Sequence, residues 1–150
     1  MTITFRRIAQ KDLATLRSWF ADTDLAERLS YPDDTWFAHL RSDDAACWVA
    51  SDETGSILAQ LQVDRTDAST GDLAFAIRPD LRGKGYGKAV LRAFLARVGR
   101  NYVRLAAFIE PDNIASLACV RSCGFEVALS PDEDGMLKAT WNRPENHPSG

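Results

Sequence analysis

A glycine-rich segment at residues 77–88 has the composition of an anion-binding turn. It reads Ile-Arg-Pro-Asp-Leu-Arg-Gly-Lys-Gly-Tyr-Gly-Lys and lies between an apolar run and a helical pattern. We expect Gly83, Gly85 and Gly87 to take positive φ and to let a ligand approach the backbone closely. The unpaired N–H groups at the start of the following helix then favour a phosphate-bearing ligand. Residues 82–88, called the cradle below, are therefore predicted to hold a pyrophosphate.

Two common classes of glycine-rich nucleotide-binding loop do not fit the cradle. A P-loop needs a hydroxyl residue after its lysine to hold magnesium, and here Lys88 is followed by Ala89. A dinucleotide-binding turn needs the spacing G-x-G-x-x-G on the first strand of the fold and an acidic residue about 20 positions later. The cradle instead has G-x-G-x-G past the middle of the chain, and residues 99–102 contain no carboxylate. Both nucleotide-binding interpretations are therefore disfavoured.

Two motifs, in the expected order along the chain, resemble those of one acyltransferase family. Residues 82–87, Arg-Gly-Lys-Gly-Tyr-Gly, fit a pattern of Gln or Arg, two residues of any type, Gly, any residue, and then Gly or Ala. Residues 113–116, Asn-Ile-Ala-Ser, open a helical pattern that ends in Cys-Gly-Phe at 123–125. Together with the opening at residues 5–13, the chain resembles the GNAT superfamily of N-acetyltransferases over nearly its whole length. It is most similar to bacterial members that acetylate ribosomal proteins or small amines.

The resemblance implies an α/β fold of the α+β kind. Its mixed central sheet has about six to seven strands and is flanked by about four helices. The strand before the cradle and the strand after it splay apart and hold acyl-CoA between them. Hydrophobic periodicity predicts strands and helices that are compatible with this fold. The predicted strands lie at 3–8, 47–50, 57–63, 73–77, 103–109, 126–129 and 136–141. The predicted helices lie at 11–21, within 22–44, from 88 to a stop at Gly99, and at 113–123.

Composition bounds the class of protein. The chain has 150 residues, of which 45% are hydrophobic, and this predicts one domain over residues 1–150 with a loose polar tail at 142–150. A net charge of -3 argues against a nucleic-acid or anionic-membrane partner. No signal peptide or apolar run of membrane-spanning length is visible, so the cytoplasm is the expected location. Three unclustered cysteines predict reduced side chains and no metal site.

Acetyl-CoA is the co-substrate that the resemblance implies, without a metal. Backbone N–H groups of residues 82–87 would hold its pyrophosphate, and Lys84, Lys88 or Arg92 would pair with the negative charge. A backbone N–H within residues 75–78 would polarise the thioester oxygen, and the Asn113 side chain would face the pantetheine arm. The predicted cofactor-binding residues are Phe75, Ala76, Ile77, Arg78, Arg82, Gly83, Lys84, Gly85, Tyr86, Gly87, Lys88 and Asn113.

Catalysis requires a base, because an ammonium acceptor must lose a proton before it attacks a thioester. Asp72 is the first candidate, since many bacterial members of the family carry an acid at this place in the strand before the cradle, and Glu110 is the second. Ser116 is the candidate donor to the leaving sulfur, because Val120 stands where many members have a tyrosine. Each candidate also has a structural interpretation, respectively as a turn residue, a strand end and a helix cap.

The resulting hypothesis is an N-acetyltransferase in which a primary amine attacks acetyl-CoA directly. Its acceptor would be a small amine or a peptide N-terminus, and an acidic stretch within residues 22–44 would attract a cationic amine. Trp19 and Trp36 are candidates for lining the acceptor pocket. The family resemblance favours a homodimer. The alternative is a catalytically silent sensor or interaction domain that has the same fold and binds acyl-CoA.

Overall fold

The computed structural model describes residues 1–145 and has a mixed α/β architecture. Its strands are β1 (Thr4–Arg7), β2 (Ala45–Ser51), β3 (Ile57–Arg65), β4 (Thr70–Ile77), β5 (Arg104–Ile109), β6 (Glu126–Val127) and β7 (Leu137–Asn142). Its α-helices are α1 (Leu13–Ser18), α2 (Thr23–Arg28), α3 (Asp34–His39), α4 (Tyr86–Arg97) and α5 (Ile114–Ser122). The described part of the chain therefore has one helix more than expected. Of the predicted tail, Asn142 belongs to β7, and residues 146–150 lie outside the described residues.

All seven strands form one sheet in the order β1-β2-β3-β4-β5-β7-β6. Every neighbouring pair is antiparallel except β4 and β5, which run parallel. The parallel pair requires a long crossover, and the cradle together with α4 provides it. The mixed sheet of six to seven strands is therefore confirmed, and its parallel pair is the one that flanks the cradle.

Helix α4 packs against one face of the sheet through the apolar stripe that its sequence predicts. Val90, Leu91 and Phe94 are almost fully buried, and the Phe94 ring makes edge-to-face contacts with Phe5 and Trp48. The helix ends at Arg97, and the predicted stop at Gly99 lies within a 3₁₀ turn, Val98–Asn101. Gly99 does not adopt positive φ. A Cβ there would approach the indole of Trp141 to 3.2 Å, so this glycine allows close packing.

Short helices cover the opposite face of the sheet. The predicted helix at 11–21 is formed by α1 and a 3₁₀ turn on each side, Gln10–Asp12 and Trp19–Ala21. Asp22 and Asp33 accept hydrogen bonds from the backbone as N-caps of α2 and α3. These caps account for two acids of the acidic stretch and explain why it holds two separate helices.

The splay between β4 and β5 is the feature that creates room for a ligand. The two strands pair only where residues 70–72 face residues 104–106. Beyond that point β4 continues to Ile77 beside β3, while β5 continues to Ile109 beside β7. The sheet is therefore open between the second halves of β4 and β5, directly above the start of α4.

Candidate active site

A cavity of about 420 Å³ fills the opening between β4 and β5. One wall is the second half of β4, and the facing wall is the end of β5 with the start of α5. The cradle closes one end, and α2 contributes Asp24 and Arg28 near the other side. The cavity therefore joins most of the predicted cofactor-binding residues in one elongated space.

The cradle backbone has the geometry of an anion site. Gly83 and Gly85 have φ of +73° and +83°, and Gly85 is the N-cap of α4. The first hydrogen bond of the helix runs from Ala89 N to Gly85 O at 3.2 Å. Within residues 1–145, the N–H groups of residues 83–88 have no hydrogen-bond acceptor. A run of unpaired donors at the positive end of a helix dipole favours a bound phosphate group.

Gly87 differs from its two neighbouring glycines, and the prediction of positive φ at this position is wrong. It lies inside the first turn of α4 and keeps helical φ. A Cβ at Gly87 would stand 3.5 Å from Ile77 Cγ1 and 3.7 Å from Cys119 Sγ. Both distances are ordinary van der Waals contacts, so Gly87 leaves the cradle wall open without being required for the backbone conformation.

Of the three cationic side chains of the cradle, Arg82 forms ion pairs within the protein, whereas Lys84 and Lys88 do not do so within the described residues. The Arg82 guanidinium binds Asp22 at 2.7 Å and lies 3.9 Å from Asp24, which attaches the cradle to α2. Lys84 and Lys88 are exposed and form no ion pair within the described residues. Lys84 and Lys88 are therefore the side chains available to a bound phosphate.

Strand β4 presents two backbone N–H groups to the opening. The N–H of Arg78 donates to Leu58 O of the strand on the other side, at 2.9 Å. N–H directions alternate along a strand, so Phe75 and Ile77 point their N–H groups toward β5, where no strand pairs with them. The Arg78 guanidinium binds Asp80 and Ile57 O. Arg78 is thus not brought into the cavity, whereas the other predicted residues of this strand line it.

Asp72 lies on β4 at the edge of the cavity and is not part of its lining. It shares a strand face with Ala74, two residues further on, which does line the cavity. Its carboxylate has no hydrogen bond or ion pair within the described residues. Burial raises the pKa of Asp72; nearby Lys138 opposes this, and Asp64, directly opposite on β3, adds to it. An unpaired carboxylate with a raised pKa accepts a proton more readily than an ordinary surface carboxylate does.

Glu110 lines the cavity at the end of β5 but is held by a cation. Its Oε2 accepts a hydrogen bond from Arg28 at 2.8 Å. Arg28 also binds Asp112 at 3.2 Å and Asp24 at 3.1 Å, and these carboxylates raise the pKa of the guanidinium. Glu110 is thus engaged by the protein, whereas Asp72 has no ion pair within the described residues. The arrangement therefore favours Asp72 over Glu110 as a base.

The start of α5 contributes Asn113 and Ser116, which both line the cavity. Asn113 is the N-cap, and its Oδ1 accepts a hydrogen bond from Ser116 N at 3.3 Å. The Ser116 hydroxyl has no partner within the described residues and is free to donate. Val120 is completely buried in the core, so the side chain at that position supplies no donor.

Cys119 also lines the cavity, where its thiol contacts Cys123. Its contact with Cys123, together with burial, raises the pKa of the Cys119 thiol. A thiol rather than a thiolate is a poor nucleophile. The cavity therefore offers no activated cysteine for a covalent intermediate.

A second cavity of about 190 Å³ lies on the other side of β4. Ala74 and Ala76 belong to the walls of both cavities, so the two spaces meet at this strand. The second cavity is lined by Leu16, Trp19, Phe20, Leu29, Ser30, Pro32, Trp36, Gln60, Gln62, Ala74 and Ala76. Trp19 and Trp36, which the sequence analysis proposed for an acceptor pocket, both belong to it.

Arg28 is the residue of the site that the sequence analysis did not single out. It occupies an ordinary position near the end of a short helix, and its partners Glu110 and Asp112 follow 82 and 84 residues later. No local pattern connects residues so far apart in sequence, so only the fold reveals their contact.

The structure also bears on metals and membranes. Among residues 1–145, there is no group of three or more His, Cys, Asp or Glu side chains that could hold a metal ion. No helix in that part of the chain is long and apolar enough to cross a membrane.

Comparison with known proteins gives a consistent family assignment. The family model described as an acetyltransferase (GNAT) domain matches residues 2–126. An uncharacterised N-acetyltransferase of Bacillus subtilis (strain 168), YfmK, is 30% identical over 137 residues, which cover 89% of this chain and 92% of the relative. An L-methionine sulfoximine/L-methionine sulfone acetyltransferase of Pseudomonas aeruginosa is also 30% identical over 137 residues, covering 87% of this chain and 69% of the relative.

Solved structures share the fold at lower sequence identity. Spermidine N-acetyltransferase from Vibrio cholerae, in complex with CoA and spermine, has a TM-score of 0.79 and 12% identity over 94% of this chain and 95% of its own. The aminoglycoside acetyltransferase AAC(6')-Ib, in complex with coenzyme A, has a TM-score of 0.78 and 18% identity over 95% of both chains. These likenesses extend over nearly the whole sheet and its helices.

Proposed function

Since the chain belongs to the GNAT acetyltransferase family, we propose that this acyl-CoA-dependent enzyme moves the acetyl group of acetyl-CoA to a primary amine by direct attack. The main support is the combination of the cradle with the opening between β4 and β5. Unpaired N–H groups lie at one end of an elongated cavity, and two strand N–H groups lie along its wall. An extended ligand with a pyrophosphate and a distant carbonyl matches both sets of donors.

The cradle is the proposed binding site for the pyrophosphate. Its unpaired N–H groups at residues 83–88 would donate to the phosphate oxygens, and Lys84 and Lys88 would balance their charge. Arg82 would act indirectly, because its contacts with Asp22 and Asp24 fix the cradle against α2. Asn113 and Ser116 line the part of the cavity available to the pantetheine arm. Bound there, acetyl-CoA supplies an acetyl group activated as a thioester.

Phe75 and Ile77 are the proposed donors to the carbonyl oxygen. Their N–H groups point into the opening where β5 has diverged, so neither is used by the sheet. Donors that are fixed in advance toward developing negative charge lower the barrier to attack on a carbonyl. Of the strand residues predicted for this role, Ala76 and Arg78 point their N–H groups toward β3 and are less suited.

Asp72 is the proposed base. It accepts a proton from the incoming ammonium through a water molecule, because its carboxylate lies at the edge of the cavity and not in its wall. Its raised pKa and the absence of a hydrogen bond or ion pair to its carboxylate within residues 1–145 support this choice over Glu110. Ser116 is the proposed donor to the leaving sulfur, since its hydroxyl is unpaired and lines the cavity.

The acceptor is proposed to be a small primary amine or a peptide N-terminus. The relatives support the small-molecule class, because their names mention methionine sulfoximine, methionine sulfone and spermidine as substrates. A homodimer remains part of the proposal.

Release of CoA thiol from acetyl-CoA tests this function when amino acids, amino acid amides, polyamines, aminoglycosides and short peptides are offered as acceptors. Calorimetric titration of CoA on the same sample provides the control. Amine-dependent release together with CoA binding is the expected result. CoA binding with no release for any amine would favour a silent acyl-CoA sensor, and absence of binding would overturn the assignment of the cradle.

A further inference from the structure

The second cavity has apolar walls and no charged lining residue. Leu16 and the buried Trp19 come from the α1 region, and Trp36 comes from α3. Phe20 lies at one side, where its ring packs edge-to-face on Tyr31 with centroids 5.6 Å apart. Among residues 1–145, the polar lining residues are the amides Gln60 and Gln62, called the floor below, and the hydroxyl residue Ser30, and all three are neutral. Apolar surface of this kind stabilises an aliphatic or aromatic group and does not compensate the desolvation of a charge.

The two glutamines of the floor are oriented by contacts with the protein. Gln62 Oε1 accepts a hydrogen bond from Trp36 Nε1 at 2.9 Å, and Gln62 Nε2 donates to Asp64 at 3.0 Å. Gln60 Nε2 lies 3.4 Å from Cys47 Sγ. These contacts hold the amides in place as a neutral surface.

The carboxylates that line the first cavity are both held by an arginine. Among the described residues, Asp24 and Glu110 are the acids that line the first cavity, and none lines the second. Asp24 and Glu110 both bind Arg28, at 3.1 Å and 2.8 Å. A polycationic acceptor needs free carboxylates for each of its additional ammonium groups. Within the described residues, the second cavity thus offers no carboxylate to a polycationic acceptor.

The second cavity adjoins the first cavity, the proposed site of acetyl transfer, at strand β4. Ala74 and Ala76 separate the two spaces with only a methyl group each, and Asp72 shares their face of β4. An amine near Asp72 would therefore have its substituent directed along this face, toward Trp19 and Trp36.

From this arrangement we infer that the second cavity receives an apolar side chain of the acceptor, so that the substrate is a monoamine with an aliphatic or aromatic substituent, such as an apolar amino acid derivative. The inference rests on the proposed function and adds the chemical class of its acceptor. Each methylene group that enters an apolar cavity raises affinity about fourfold. Reactivity should therefore rise with side-chain size until the cavity is filled.

The test measures kcat/KM by thiol release for glycinamide, alaninamide, leucinamide and phenylalaninamide, with spermidine and kanamycin as cationic competitors. We expect kcat/KM to rise at least tenfold from glycinamide to leucinamide, with both polycations below leucinamide. A flat series, or a polycation that exceeds leucinamide, would overturn the inference while leaving acetyl transfer in place. If no amine is acetylated although CoA binds, the proposed function fails, and this inference fails with it.

Two variants test the cavity itself, and neither residue lines the first cavity. Phe20→Ala enlarges the second cavity and should shift the best acceptor from leucinamide toward phenylalaninamide. Gln60→Glu adds a charge to the floor with almost no change in shape and should raise the spermidine-to-leucinamide ratio at least tenfold. Both variants should keep the CoA affinity of the wild type, measured by calorimetry. Unchanged acceptor preference in both folded variants would refute the assignment of this cavity.

Discussion

Replacing Gly87 by glutamate tests the cradle at its least strained glycine. Gly83 and Gly85 have positive φ, so any side chain there perturbs the backbone as well as the ligand. Gly87 is helical, and a Cβ there would make ordinary contacts at 3.5 Å with Ile77 and 3.7 Å with Cys119. The fold therefore accommodates a side chain at 87, and the longer glutamate extends into the space proposed for the pyrophosphate.

The size of the effect follows from electrostatics. Two unit charges about 6 Å apart repel by about 3 kcal/mol at an effective dielectric constant of about 20. This energy corresponds to roughly a 100-fold increase in the Kd for CoA. The repulsion decreases at higher ionic strength, because the Debye length is only about 8 Å at physiological salt. Side-chain bulk adds a loss of affinity that does not depend on salt.

Calorimetric titration of CoA against a series at this position separates charge from bulk. Gly87→Gln has nearly the shape of glutamate without its charge, and Gly87→Ala reports on the backbone. Because alanine favours a helix over glycine by about 0.5–1 kcal/mol, the melting temperature of Gly87→Ala should be unchanged or raised. We expect Gly87→Glu to bind CoA roughly 100-fold more weakly than Gly87→Gln at low salt. A folded Gly87→Glu that binds as tightly as Gly87→Gln would refute the position of the pyrophosphate.

Three further predictions concern the base, an ion pair between a buried aspartate and a partly exposed arginine, and a glycine in the sheet. Asp72→Asn should retain CoA affinity and lose at least about 100-fold in kcat. Because the pKa of Asp72 is raised above its ordinary value, the wild-type rate should rise with pH as this carboxyl loses its proton, and an unchanged pH profile in the variant would exclude this base. Hydrogen bonds from Arg6 lower the pKa of the buried Asp12 carboxyl. The free energy of unfolding should therefore be greatest above the unfolded carboxyl pKa of about 4 and should fall as the pH drops through the pKa of Asp12 in the folded protein. Asp12→Asn should cost about 2 kcal/mol of unfolding free energy at neutral pH and should make that free energy less dependent on pH, as measured by urea titrations. Gly71→Ala brings a Cβ against Val63 and within 3.0 Å of a backbone oxygen, so urea titration should show a loss of about 1–3 kcal/mol, whereas unchanged stability would mean that β3 and β4 relax freely.

Elements with strong local signals could be predicted from the sequence. The glycines at 83 and 85 and the stripe of Val90, Leu91 and Phe94 are short-range patterns, and the turn and helix that they predict are present. Weaker signals predict the elements less accurately. The acidic stretch before β2 predicts one short helix, whereas the structure has two, with Asp22 and Asp33 as their N-caps.

The candidate site depends more on contacts between distant residues than on local patterns. Asp72 faces Asp64 only because β3 and β4 pair in one particular register, and that register sets the environment of the carboxylate. Arg28 reaches Glu110 across 82 residues. Periodicity predicts that strands exist, but it does not specify which residues lie opposite one another. The proposed base, Asp72, could thus be named from a family resemblance. The environment of its carboxylate, and the ion pair between Arg28 and the alternative base Glu110, could be seen only in the fold.

Mass spectrometry of both acceptor and protein after incubation with acetyl-CoA tests the central claim most directly. Leucinamide is the acceptor to use, with wild-type protein and Asp72→Asn run in parallel. Direct transfer predicts acetyl groups on the amine nitrogen of leucinamide, formed much faster by the wild type, and no acetylated protein at any time. Acetyl groups on Cys119 or Cys123 that later move to the amine would contradict direct attack, and an unmodified acceptor in the presence of bound CoA would contradict acetyl transfer to this class of amine.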